Sequence, residues 1–378
     1  MRTIDRYIGK QVISATVFAV AVLSIVLVLG NIFRELLDQL VQRPDLDIGY
    51  VVQFVMNVLP FSLIFTIPWG FLTAVLLVFG RLSADNELIS LRMAGLSAFR
   101  ISASVFAIAI GLSVASYFLN VTIAPRAQKE MKEMIVDMVT EDPLVFFAEG
   151  EVVDMFPGYI ILVEGKERSP DTGDWELRNM QLMKIGESRR ATQYIDAERV
   201  TVERNEVEGE VFIELLLHDA HIENKDPDDP RNLQGVTPVH GEVIPVSISL
   251  EEFQKKHRRI RPSTMTVAEL VSELRSNVDI PEDLRAGFKS EISKRFSFSL
   301  ACLTFCLVGI PLGVTAQRRE TSIGFALSMV VACVYFLFIL FADTFRDDPK
   351  AHAYLLMWVP NIVFLALGIW LFYRLSKK

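Results

Sequence analysis

The chain has 378 residues, 51% of them hydrophobic, and a mean hydropathy of +0.34, which is too apolar for an ordinary soluble protein and points to membrane spans joined to a water-exposed part. A net charge of −8 argues against nucleic acid as a partner. The three cysteines, Cys302, Cys306 and Cys333, all fall in apolar runs, so no disulfide is expected to staple an exposed domain.

Arg2, Arg6 and Lys10 precede an uncharged run over residues 11–30, long enough to cross a bilayer core as a helix. That run is too long for a cleaved leader and lacks a small-x-small exit, so it reads as a retained first span. A polar, acidic stretch follows. Residues 51–80 form a second apolar run, longer than one crossing needs, with Pro60 and Pro68 inside it as sites for a kink or a split-off first turn. Residues 101–123 form the third span. It carries Ala103, Ala107, Gly111 and Ala115, a small residue every fourth position, which lets a neighbouring helix approach closely. A seam within the chain and a seam with another chain fit that stripe equally well.

Between the second and third runs lies RLSADNELISLRMAGLSAFR, residues 81–100. A simple reversal needs only a handful of residues, whereas this stretch has the punctuation of a helix over about 83–95. Ser83 is placed to cap its start. Asp85 and Glu87 sit where the positive end of the helix dipole favours acids, and Gly95 is placed to end it. A structured helix at a membrane surface is a handle for a soluble partner; a plain helical loop is the equally weighted alternative.

Composition changes at Pro125. Residues 125–139 read as a helix leaving the membrane. Strand character follows, with residues 159–163, 193–202 and 211–221 rich in β-branched and aromatic residues and separated by turn residues, a spacing that suggests a sandwich or barrel. Helical pattern returns at 266–276, and Pro281 opens a helix expected to run straight into a fourth span at 296–316. Spans at 322–342 and 353–373 complete the chain. The expected architecture is therefore α-helical and membrane-embedded, with six transmembrane helices arranged three plus three. Residues 1–123 hold the first three, residues 124–295 an inserted all-β domain with its core at about 144–250, and residues 296–378 the last three.

With the N-terminus inside, the inner segments carry eleven Lys and Arg residues and the two short outer loops carry Arg34, Arg43, Arg346 and Lys350. This bias puts both termini in the cytoplasm and the central domain outside. Catalytic signatures are lacking. Gly165-Lys166 is followed by Glu167, with Ile160 where a phosphate loop needs glycine. His218 and His221 have no third ligand in view and read as surface residues, so neither a metal site nor a cofactor is expected. No nucleophile elbow occurs. No span interior holds the acid or base an ion-driven transporter needs. The energy for any work this chain does is expected to come from elsewhere.

Three stretches together resemble the LptF/LptG (YjgP/YjgQ) family, the inner-membrane permeases of lipopolysaccharide export: DRYIGK at residues 5–10, LLVFGRLSADNELISLRMAGLS at 76–97, and EISKRFSFSLACLTFCLVGIPLG at 291–313. The resemblance implies a non-enzymatic permease subunit of an ABC transporter, paired with a paralogous permease and driven by a cytoplasmic ATPase dimer. It implies a jelly-roll-like outer domain that passes lipopolysaccharide to a single-span periplasmic bridge protein. It further implies that the surface helix is a coupling helix, with Asp85, Glu87, Leu88, Leu91, Arg92 and Gly95 as its contact residues. Glu87 matches the family's acidic position. Arg34, Arg126, Lys294 and Arg295 mark the outer membrane edge and are candidates for holding lipid phosphates, against the alternative of ordinary snorkelling. Pro311, between Gly309 and Gly313, is a hinge or a packing kink. The alternative function is a membrane-anchored periplasmic sensor or ligand-binding protein, which would normally carry a larger cytoplasmic output domain.

Overall fold

The computed structural model describes residues 2–35, 48–141, 147, 149–150, 152–153, 156, 158–168, 175–186, 191–207, 210–224, 238–249, 262–276, 280–315 and 321–377. Two compact units emerge. One comprises Met1–Ile32, Ile48–Glu130 and Arg261–Lys378, the other Phe33–Asp47 and Met131–Ile260.

The helices, in chain order, are α1 (Arg2–Glu35), α2 (Ile48–Ala84), α3 (Glu87–Met93), α4 (Ala98–Phe118), α5 (Ala124–Glu141), α6 (Val267–Ser276), α7 (Glu282–Thr315), α8 (Thr321–Thr344), α9 (Ala353–Leu356) and α10 (Val359–Lys377). A π-helical turn at Leu119–Ile123 joins α4 to α5. Among the described residues six stretches are long and apolar enough to cross a membrane: Thr3–Gly30, Val52–Ala84, Ala98–Met134, Glu282–Thr315, Gly324–Thr344 and Ala353–Lys377. The expected three-plus-three arrangement is present. Pro60 and Pro68 do not split off a first turn, because α2 runs through both.

The axis of the first unit is α7. It is apolar on every side, and such a helix is stable only at the centre of a bundle. On one side Cys302, Cys306 and Ile310 pack with Ile8 and Val12 of α1, Phe71, Val75 and Phe79 of α2, and Ile101 and Val105 of α4. On the other, Phe298, Phe305 and Val308 pack with Tyr335 of α8 and Phe364 of α10. The helix is about 50 Å long at ~1.5 Å per residue, against a hydrocarbon core of about 30 Å. Its charged first turns, residues 282–295, therefore project past the apolar part.

Glycines set the closest helix crossings. A Cβ on Gly313 would lie 3.0 Å from the Phe79 Cβ, and one on Gly309 would lie 3.1 Å from Val75 Cγ1, so this pair seats α7 on α2. Pro311 between them has no N–H to give the Leu307 carbonyl four residues back. That carbonyl faces Gly368 of α10, where a Cβ would meet Leu307 Cβ at 2.8 Å, its carbonyl carbon at 3.0 Å and its oxygen at 3.2 Å. Gly368→Ala is expected to push α10 away at a cost of about 1–3 kcal/mol, the usual range for overpacking. Thermal denaturation in detergent reads it, and an unchanged midpoint would show that α10 shifts freely.

A buried polar network ties α7, α8 and α10. The Asn361 amide donates to the Ser297 carbonyl and hydroxyl at 2.8 and 2.9 Å, and its oxygen accepts from Tyr335 at 3.2 Å and Thr304 at 3.3 Å. Ser297 in turn donates to the Met357 carbonyl at 2.6 Å. Every polar atom of Asn361 has a partner, as a site away from water requires.

The second unit contains a six-stranded antiparallel sheet: β1 (Val152–Val153), β2 (Tyr159–Arg168), β3 (Trp175–Ile185), β4 (Ala191–Val207), β5 (Glu210–Asn224) and β6 (Pro238–Ser249), paired strictly in sequence order. The strands expected at 159–163, 193–202 and 211–221 are β2, β4 and β5. Sequence reading missed β3, which alternates Leu and Met with charged residues rather than β-branched ones, and β6, which holds Pro238, Gly241 and Pro245. β6 lies at an edge, where missing N–H donors are tolerated. Among the described residues these strands form one sheet. Its buried side chains switch parity along the strands: Leu177 then Met180 in β3, Ala197 then Val200 in β4, Leu217 then Ala220 in β5. Asn179 (φ 47°) and Asp219 (φ 51°) lie at the switch, with a backbone that short polar residues accept most easily. Simple alternation therefore fails at this line, while both sides of it feed one core.

Candidate functional site

The first turns of α1, the last turn of α10, the α2–α4 connection and the end of α7 meet at one end of the bundle. Here α3 is shorter than the sequence suggests and starts later. Ser83 belongs to α2, and its hydroxyl donates to the Val314 carbonyl at 2.9 Å instead of capping α3. Asp85 is exposed in the intervening turn. The residue before α3 is Asn86, with φ 59° and no side-chain cap. The other end is as expected. Gly95 has φ +86°, its N–H reaches the Arg92 carbonyl at 2.9 Å, and the Leu96 N–H reaches the Leu91 carbonyl at 3.2 Å. This paired closure uses the left-handed freedom of glycine.

α3 has two faces. Leu88 is buried in the core, and Leu91, partly buried, packs against the same core. Ile89 and Met93, one turn apart, are 53% and 85% exposed, and Phe99 beyond the helix is 67% exposed. Sequence reasoning overlooked these three. The signal for Ile89 and Met93 was present in ELISLRM, where the apolar residues are too many for one buried stripe.

Four ties hold this ledge. The Tyr7 hydroxyl donates to the Glu87 carboxylate, at 3.2 Å to Oε2. Arg100 forks onto Asp5 with two hydrogen bonds of 2.8 Å. The Arg92 guanidinium donates to the Leu375 carbonyl in the last turn of α10 at 2.9 Å. The Ser83 bond to α7 is the fourth.

The opposite end of the bundle is charged. Arg295 is 4% exposed. It donates to Glu291 at 3.0 Å and to the carbonyls of Met265 at 2.6 Å, Ser263 at 3.0 Å and Pro262 at 3.1 Å. Lys294 pairs with Asp343 at 3.1 Å. Glu291 Oε2 is buried without a hydrogen-bond partner, 3.9 Å from Arg346. Beside these groups lies a cavity of about 150 Å³, walled by Phe61, Phe65, Gln128 and Arg346. Nearby, Thr266 and Glu269 cap α6 reciprocally: the Thr266 N–H meets the Glu269 carboxylate at 2.7 Å, and the Glu269 N–H meets the Thr266 hydroxyl at 3.3 Å. The Thr266 amide, with help from Lys129 and Arg126, holds the Glu269 carboxyl below the usual carboxylate range.

A family model described as lipopolysaccharide export system permease LptF/LptG matches residues 6–374, nearly the whole chain. The chain belongs to the LptF/LptG family. A comparison with individual curated proteins gave no match. As an LptF/LptG permease the chain is a transport subunit of lipopolysaccharide export, not an enzyme, and its six spans suit the inner membrane.

The permease places the residues expected at the lipid edge very differently from one another. Arg126 is exposed. Lys294 is committed to Asp343 but remains partly exposed. Arg295 is buried and spends four hydrogen bonds inside the fold, which makes it a brace, and it also lines the cavity described above. The side chain of Arg34 lies outside the described residues. Pro311 sits in the buried crossing of α7, α2 and α10. The small-residue stripe of α4 is not consumed within the chain, since Ala107, Gly111 and Ala115 are exposed and a Cβ on Gly111 would meet nothing within 4 Å.

Proposed function

We propose that the ledge of α3 docks into a cytoplasmic ATPase dimer, whose hydrolysis drives this permease to lift lipopolysaccharide out of the inner membrane. The observation that carries this reading is the two-faced helix: Leu88 anchors it while Ile89 and Met93 stand exposed beside Glu87 at the end of the bundle that holds the first turns of α1 and the last turn of α10. Exposed apolar residues flanked by charges are the usual make-up of a docking surface. The charge bias of the loops supports a cytoplasmic position for this end and a periplasmic one for the β unit. The uncovered stripe at Ala107, Gly111 and Ala115 supports a seam with a paralogous permease. A groove of about 600 Å³ along Val17, Ala21, Leu59 and Leu63 offers an apolar bed for acyl chains. Arg126 and Lys294 are the groups for the lipid phosphates, Arg34 being a further candidate. The β unit then hands the lipid to a single-span periplasmic bridge protein. Pro311 gives α7 a flexible point for that cycle.

Glu87→Ala tests the docking. The permease is expected to fold and insert normally, because Glu87 is only partly buried, while its association with the ATPase weakens by about tenfold, or about 1.4 kcal/mol. Co-purification at graded ATPase concentrations measures this. Unchanged association together with unchanged export would remove α3 from the interface.

A further inference from the structure

The DRYIGK segment is tied to the ledge at two separate points. Asp5 is forked by Arg100, just after the ledge ends, with both hydrogen bonds at 2.8 Å. Tyr7 reaches Glu87, where the ledge helix begins, at 3.2 Å. A bidentate fork fixes direction as well as distance, which a lone lysine contact would not. Just after these ties Ile8 and Val12 are fully buried in the core cluster that holds Leu88, Ile101 and Val105. Gly9 brings the backbone of α1 against α4, a Cβ there falling 3.7 Å from the Ser104 Cβ. Farther along, α1 still meets α2 closely on one side, where a Cβ on Gly70 would lie 2.7 Å from Val20 Cγ2 and the Ser24 and Thr66 hydroxyls are 2.9 Å apart, while its other side is open. Val17, Phe18, Ile25 and Val26 are 59–73% exposed, and the apolar groove opens beside them.

We infer that Asp5 and Tyr7 are positioning residues that lock the first turns of α1 to the ledge, so that displacement of α3 is passed directly to the first span. Resting on the docking reading above, this assigns the N-terminal turns of α1 a part in force transmission. Tyr7 also fixes the carboxylate of Glu87 in place before any partner arrives. Movement at Asp5 is then carried along α1 to its contacts with Gly70 and Thr66 of α2, beside the groove, so that the first two spans shift together there.

The test uses the whole permease in its reconstituted export complex, with lipopolysaccharide in proteoliposomes, and reads lipid released per ATP hydrolysed. Asp5→Asn and Arg100→Gln are each expected to lower that ratio by at least about fivefold, the low end of ordinary coupling between sites. Hydrolysis and the yield of assembled complex should stay within about twofold. The exchange Asp5→Arg with Arg100→Asp is expected to recover most of the ratio, and Tyr7→Phe to lower it alone. A merely structural role would lower assembly and hydrolysis together and leave the ratio fixed. A normal ratio in Asp5→Asn, or no recovery in the exchange variant, overturns the lock. If Glu87→Ala weakens ATPase association while Asp5→Asn couples normally, only this inference fails; if Glu87→Ala changes neither association nor export, the docking reading fails first.

Discussion

Replacing Arg295 with alanine is expected to destabilise the permease by about 3–5 kcal/mol, the cost of breaking a buried ion pair from one side. The substitution strips Glu291 of its hydrogen-bonded cation and leaves the carbonyls of Met265, Ser263 and Pro262 without their donor. Glu291 already has one buried oxygen without a hydrogen bond, so it has little reserve. Arg295→Lys should fall between, since one ammonium cannot span a carboxylate and three carbonyls set in different directions. Thermal unfolding of the purified permease measures both. A loss under about 0.5 kcal/mol, the usual size of an exposed substitution, would mean that water replaces the guanidinium and that the segment before α6 is held by other contacts.

The second large effect is expected at Asn361. Asn361→Leu keeps the volume roughly constant but deletes four hydrogen bonds, leaving Tyr335 only its 3.4 Å bond to the Ser297 carbonyl and Thr304 only its bond to the Ala301 carbonyl. At about 0.6 kcal/mol per bond within a membrane protein, the loss is about 2 kcal/mol. The unfolding midpoint again reports it. Asn361→Asp should do worse, because it brings a charge where an amide had matched every partner. A leucine variant as stable as the parent would show that apolar packing by Phe305, Tyr335 and Phe364 alone holds α7, α8 and α10 together.

The spans were legible because a bilayer imposes length and apolarity on each one, and both can be counted along a single chain. The inserted sheet was legible only where β-branched residues gathered, in β2, β4 and β5. β3 and β6 were hidden because their partners, not their own propensities, make them strands. Gly95 was readable as a stop because its left-handed backbone demands glycine. Ser83 misled because a serine before an acidic helix also fits the last turn of a preceding span, and only the Val314 carbonyl decides between them. Asp5 and Tyr7 belong to a motif that by itself gives neither a role. Their partners lie 95 and 80 residues away, beyond any local pattern. The bracing role of Arg295 was hidden for the same reason: its carbonyl partners lie about thirty residues upstream.

The sheet pairs each strand only with its sequence neighbour, whereas the first three spans find their common core on α7. During synthesis these two facts impose an order. Each hairpin of the insert has its whole set of pairings as soon as it has been synthesised, so the insert can close on itself early. The helices made before it must wait in the lipid, their inward sides unfilled, until the fourth span is delivered. An arrest of translation between the insert and that span should therefore leave a finished inserted domain attached to an unfinished bundle.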